Sequence, residues 1–337
     1  MERHDVMRVS ATVFIAFLGF GGGATLAQEP PRLGLPIACD REVGCIIQNH
    51  VDRDPSPGTR DYACGAATYD GHDGTDFRVP TMADVARGVD VIAVLDGTVR
   101  GWRDGMDDVG LAGKKPGELA GRECGNGVVL VHPDGYETQY CHLKKGSVVA
   151  RTGQVVKAGD RLGQVGLSGQ TEFPHVHLSV RRNGKSIDPF APDPAAACGV
   201  ARDALWTREA ADKAGYRLPA VLNWGFNAGP VTQADVESGR LLDWRAERAM
   251  PALVAYARVV GLAAGDVQSI EIRDPSGGVF VTQTLDPTDR SKAQFLLFAG
   301  KKKPASGWTA GRYTATITVR RAGNTIAERR FDVVMEP

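Results

Sequence analysis

Between residues 67 and 197 the chain is cut into runs too short for anything but strands. The runs at 91–94, 128–131, 136–140, 161–165 and 175–180 each carry β-branched or aromatic residues, and glycine-bearing turns lie between them. Glycine supplies 41 of the 337 residues, well above the ~7% of an average composition. Such punctuation leaves no room for long helices and predicts a mostly β protein. The clearest signal is VVLVHPDGYETQY, where Asp134-Gly135 suits the positive backbone angles of a tight hairpin turn. Residues 101–124, Gly-rich and polar, read as a surface loop.

After Pro194 the character changes. Residues 201–215 read as a short helix, and RYTATITV at 312–319 then alternates cleanly, with Tyr313, Ala315, Ile317 and Val319 on one face. A period of two with one apolar face marks a half-buried antiparallel strand. Similar runs at IEIRD, VFVTQTL, AQFLLF and IAERRFDVV predict a small β-sandwich, immunoglobulin-like in architecture.

The first 27 residues read as a secretory signal: a largely apolar run at 9–20, then small residues up to a cleavage point after Ala27. That run is short of the ~20 residues a span needs, so no membrane span is expected after cleavage. Six cysteines in an exported chain predict disulfides, an oxidising compartment and a periplasmic or secreted protein. Six cysteines allow fifteen pairings. Close spacing favours Cys39 with Cys45, and Cys124 and Cys141 flank the predicted hairpin, which leaves Cys64 and Cys198. The 40 basic and 40 acidic residues balance, which argues against nucleic acid as the main partner.

Chemistry concentrates in three short motifs. GHDGTDF places His72 and Asp76 four apart, and PHVHLSV places His175 and His177 two apart. Residues i and i+2 of a strand share a face, so both histidines can enter one cleft. The glycines around His72 favour extended or turning backbone, on which His72 and Asp76 also share a face. Two imidazoles and a carboxylate around a divalent ion leave a fourth position for water, the form of a catalytic zinc site. His142, in Tyr140-Cys141-His142-Leu143, follows Tyr136, Thr138 and Tyr140 on one strand face and points toward the same cleft. Plainer roles are expected elsewhere: His50 solvated, His132 structural, Tyr140 in the core, Asp73 supporting or on the surface, Asn126 shaping a turn.

H-x-x-x-D, Y-x-H-L and P-H-x-H, with Gly153, Gly159, Gly163, Gly166 and Gly169 before the last and Ile187-Asp188-Pro189 after it, resemble the M23 family of zinc metallopeptidases, the lysostaphin/LytM group. The resemblance covers roughly residues 67–191. It implies an M23-type antiparallel β domain in which His72, Asp76 and His177 bind Zn²⁺ and His142 and His175 are catalytic without being ligands. It implies hydrolysis of peptide bonds in bacterial peptidoglycan stems or cross-links during cell-wall remodelling. The alternative is a catalytically silent M23-like scaffold that binds the wall or activates another hydrolase. The expected organisation is a signal peptide at 1–27, an extended lead-in at 28–66, the zinc peptidase domain at 67–198, a linker with a short helix at 199–222 and the sandwich at 223–337. The expected partners are the peptidoglycan peptide and, through the C-terminal domain, an envelope protein. Residues 81–88 and 101–124 are longer than the family's usual links and are expected to narrow or lid the groove.

Overall fold

The Asp-Gly signal marks the turn it predicts: Asp134 has φ 58° and Gly135 φ 74°, and the two flanking strands pair antiparallel. The computed structural model describes residues 1–2, 29–39, 44–115, 117–199, 201 and 203–336. The expected signal segment, apart from its first two residues, lies outside them. Ten strands precede residue 190: β1 (Ile46–Asn49), β2 (Thr75–Arg78), β3 (Asp90–Ile92), β4 (Gly97–Arg103), β5 (Asn126–Val131), β6 (Tyr136–Leu143), β7 (Val155–Val156), β8 (Arg161–Gln164), β9 (His175–Arg182) and β10 (Lys185–Ile187). Eight of them form one sheet in the order β1-β2-β9-β6-β5-β4-β7, with β10 added to β9, while β3 and β8 pair apart from it.

β9 lies between β2 and β6 and sets the faces of the sheet. Its Val176, Leu178 and Val180 are buried in the core with Val128, Leu130 and Tyr140. Alternation along a strand then sends His175, His177 and Ser179 to the opposite face. Register fixes their neighbours: Asp76 stands opposite His177 and Arg78 opposite His175 across β2, while Cys141 stands opposite His177 across β6.

The stretch expected as an extended lead-in joins the sheet and its core: β1 pairs with β2, and Leu33 and Ile37 are buried in the same core. Apolar residues too sparse to show a period still reach that core one at a time. The longer link after Asp76 is an ordered helix, α1 (Met82–Arg87), whose start is fixed by Thr81 and Asp84 capping each other's backbone N–H groups.

Beyond α2 (Arg208–Lys213), β11 (Ala220–Asn227), α3 (Gln233–Ser238), β12 (Ala252–Leu262), β13 (Val267–Arg273), β14 (Val279–Thr284), β15 (Lys292–Lys302), β16 (Gly311–Arg321) and β17 (Asn324–Met335) complete the chain. β11 begins inside the stretch expected as linker. The sheets β11-β12-β15 and β14-β13-β16-β17 close on Leu253, Ala255 and Leu297 from one side and Ile270, Ala315 and Ile317 from the other. This is the expected two-sheet sandwich.

The favoured disulfides form: Cys39–Cys45, Cys64–Cys198 and Cys124–Cys141. Their partners lie 6, 134 and 17 residues apart. In the chain-entropy account a longer closed loop restricts the unfolded chain more, so replacing Cys64 and Cys198 by serine should cost roughly 2–3 kcal/mol more than replacing Cys39 and Cys45. Denaturant midpoints of the two double variants check this; equal losses would contradict it.

Candidate active site

The two β9 histidines open the site, and their neighbours complete it. Asp76 arrives from β2 by register. His72 sits on the turn before β2 rather than on extended chain, with Gly71 at φ 73° and the His72 N–H donating to the Tyr69 carbonyl (3.0 Å). His142 comes from the end of β6 with φ 63°, a left-handed conformation uncommon for a residue with a side chain. Its N–H donates to the Cys124 carbonyl (2.8 Å), and the Cys124–Cys141 disulfide closes the same junction. The five residues expected to carry the chemistry therefore meet in one place.

Three atoms converge most tightly. His72 Nε2 lies 3.1 Å from His177 Nδ1 and 3.2 Å from Asp76 Oδ1, and His177 Nδ1 lies 2.9 Å from Asp76 Oδ1. Ligand atoms on a tetrahedral ion with zinc-like bond lengths are spaced at about 3.3 Å, so this triangle fits one face of such a site. Among the described residues this is the only His, Cys and acidic group found with the convergence a metal needs. His175 Nε2 is 3.2 Å from Asp76 Oδ1, and the His142 ring centre is 4.7 Å from that of His175.

Each imidazole has its second nitrogen occupied. His72 Nδ1–H donates to the His50 carbonyl (2.7 Å), His142 Nδ1–H to the Ser168 carbonyl (2.8 Å) and His175 Nδ1–H to the Phe173 carbonyl (2.9 Å). His177 Nε2 lies 3.0 Å from Ser179 Oγ and 3.3 Å from Asp73 Oδ1. The carbonyl bonds fix the tautomers of His72, His142 and His175, so each of these rings turns Nε2 toward the shared space. Asp76 is held in turn by Asn49, whose Nδ2–H donates to Oδ2 (2.9 Å).

Charge follows from the same contacts. Burial works against a charge on His177, but hydrogen bonds to Asp73 and Asp76 outweigh it and push its pKa up to about 9. Burial likewise opposes the Asp76 carboxylate, yet His72 and His175 hold it well below the ordinary range. The field that favours a proton on His177 also favours a divalent cation. His142 is held far below its ordinary value by burial, with His175 and His177 beside it, so it stays neutral.

Other expectations divide. Tyr140 is in the core, His132 donates to the Asp96 carbonyl (2.7 Å) away from the site, and Asp73 supports His177. His50 is not solvated: it is 1% exposed, packed against Tyr62 and Phe190, and burial pulls its pKa down to about 4. Asn126 does more than shape a turn, since its side chain bonds Met106 and the Leu143 carbonyl. The long loop before it is not a free lid. Asp104 and Asp108 accept from backbone N–H groups of 145–148 and Leu167, and the Leu111 N–H donates to the Thr171 carbonyl (2.9 Å), so it braces the wall that leads to His175. The sequence reading missed Asn49 and the three carbonyls. A carbonyl leaves no residue signature, because every residue type carries one.

Residues 70–189 match the model of Peptidase family M23, and this segment is an M23 peptidase domain within a longer chain. The DD-carboxypeptidase/endopeptidase Mpg of Neisseria meningitidis is 33% identical over 104 residues, 31% of this chain and 22% of its own. The peptidoglycan DD-endopeptidase ShyB of Vibrio cholerae is 30% identical over 122 residues, 36% of this chain and 23% of its own. The chain thus spans about a fifth of the length of the curated relatives it matches. A solved zinc-containing peptidase from Vibrio cholerae aligns at 23% identity over 47% of this chain and 39% of its own, with a TM-score of 0.32.

Asn49 provides a test of the cluster as a metal centre. Removing the hydrogen bond that orients Asp76, by Asn49→Ala, should lower metal affinity by roughly 10–100-fold while the fold stays intact. Competition against a chelator measures it, and unchanged retention would contradict the arrangement.

Proposed function

We propose that the M23 domain of this chain is a zinc-dependent endopeptidase that hydrolyses peptide bonds in bacterial peptidoglycan stems or cross-links. The observation that carries this reading is one arrangement: a His72–Asp76–His177 triangle with two further buried imidazoles, His142 and His175, turned toward it. The triangle would hold the metal. When bound, Zn²⁺ supplies Lewis acidity, lowering the pKa of a water toward ~7 and polarising a carbonyl. The presence of both extra histidines favours hydrolysis over a silent scaffold, because metal retention alone needs neither.

His142 and His175 would move the protons. Each has its Nδ1–H committed to a carbonyl and so presents Nε2 to the reacting groups. Between them they can accept the proton of the attacking water and return one to the leaving amine. Asp76 and Asp73 hold the negative charge that balances the cation, and Tyr69, half-exposed over His72 at 4.4 Å between ring centres, walls the entrance.

Peptidoglycan as substrate rests on the relatives named above. A periplasmic or secreted location fits that substrate and the three disulfides. No described helix is long and apolar enough to cross a membrane.

His142→Ala and His175→Ala should each lower turnover on a purified muropeptide dimer by roughly 10²–10⁴-fold with zinc retained. Asp76→Ala should lose the zinc itself. Mass spectrometry of digested sacculi together with metal analysis reads both effects. A zinc-loaded wild type that releases no new amine from any muropeptide, yet stimulates a separate hydrolase, would overturn the reading in favour of a scaffold.

A further inference from the structure

Two arginines lie fully buried where β2 meets the sandwich. Arg78, two residues after Asp76, and Arg258 on β12 are each 0% exposed. One carboxylate serves both: Glu237 of α3 is 2.9 Å from Arg258 Nη1 and 3.8 Å from Arg78 Nη2. Arg258 spends its other groups within reach, donating to Asn223 (2.8 Å) and to the Pro80 carbonyl (2.5 Å) just past β2. Arg78 is less well served. Its Nη1 donates to Gln48 on β1 and to Gln294 on β15 (3.1 Å), but Nε and Nη2 have no hydrogen-bond partner.

A buried guanidinium short of hydrogen bonds needs another partner, and here it has a ring. The Arg78 guanidinium carbon lies 4.5 Å from the centre of the Phe173 ring, a cation–π distance. Phe173 meets His175 twice: their ring centres are 4.6 Å apart, and the Phe173 carbonyl accepts the His175 Nδ1–H at 2.9 Å. A continuous line of contacts therefore runs from β15 and α3 through Arg78 and Phe173 to a histidine of the site.

We propose that Arg78 is a positioning residue through which the C-terminal sandwich sets His175: Gln294 and Glu237 hold the guanidinium against Phe173, and Phe173 fixes the imidazole with its ring and its carbonyl. The sandwich is then part of the peptidase's working structure in addition to any surface it offers a partner. Without Gln294 and Glu237, Arg78 would keep only Gln48 as a polar partner, and the guanidinium would be free to leave the ring of Phe173. This rests on the reading of His175 as a proton-moving group.

The test uses the full chain loaded with zinc, with variants Gln294→Leu, Phe173→Leu, their combination, and Phe173→Tyr, which keeps the ring. Kinetics on a muropeptide dimer, zinc content, and the NMR resonance of the His175 Nδ1–H are read together. Gln294→Leu and Phe173→Leu should each lower kcat by roughly 10–100-fold, the scale of a small misplacement of a reacting group, with KM and zinc content unchanged and the resonance shifted. The combined variant should be no worse than Phe173→Leu, since both act through one contact, and Phe173→Tyr should restore turnover. Multiplying losses in the combined variant, or an unmoved resonance and wild-type kcat in Gln294→Leu, would overturn the proposal. Glu237→Gln, nearly isosteric, takes the place of Gln294→Leu if that variant does not fold. A wild type inactive on muropeptides would count against the proposed reaction alone, because the resonance still reports on the coupling.

Discussion

The register of β2 against β9 is the constraint on which the site depends. It places Asp76 beside His177 and Arg78 beside His175, and with β6 on the other side it brings His142, near the end of that strand, to the same centre. Side chains alternate with a period of two, so a slip of one residue would send these histidines into the core and Val176 and Leu178 to the groove. The burial of those apolar residues, 0% exposed, is what makes such a slip costly. Core packing and site assembly are thus enforced by one pairing.

Around that pairing the backbone does much of the aiming. Three of the four imidazoles donate to main-chain carbonyls, of His50, Ser168 and Phe173. Each carbonyl lies on a segment with its own anchor. His50 directly follows β1, Ser168 accepts an N–H from Asn126 at 2.9 Å, and Phe173 rests on Arg78. The left-handed backbone of His142 persists because its surroundings over-determine it: a hydrogen bond to Cys124, a disulfide next to it and the Ser168 carbonyl on its ring. Rigid support of this kind lets small rings hold a fixed lone-pair direction without a large hydrophobic pocket around the site.

The candidate ligand residues were legible because metal and proton chemistry demand particular side chains. H-x-H on a strand and a nearby H-x-x-x-D announce themselves by residue type, with His72 on the turn before β2 and Asp76 on the strand itself. The hairpin was legible through Asp134-Gly135, and the sandwich through the alternation at 313–319. The role of β1 was hidden, since Ile46–Asn49 is short and its importance lies in what it pairs with. Asn49 and His50 were hidden for a related reason: one acts by a single amide across the sheet, the other by a carbonyl. The buried Arg78 and Arg258 were equally silent, because composition does not reveal that two cations share one carboxylate at a contact between domains.

These layers join at His175 and His177, with β2 and β6 on either side, the loop walls around them and the sandwich behind Arg78. In the proposed arrangement three atoms would hold a metal while two further histidines stand beside it uncoordinated. Anomalous diffraction at the zinc edge from crystals of the zinc-loaded protein tests this most directly. One peak is expected, bonded at about 2.0–2.1 Å to His72 Nε2, Asp76 Oδ1 and His177 Nδ1, with His142 and His175 outside bonding distance. A peak coordinated by His142 or His175, or none within the triangle, would contradict it.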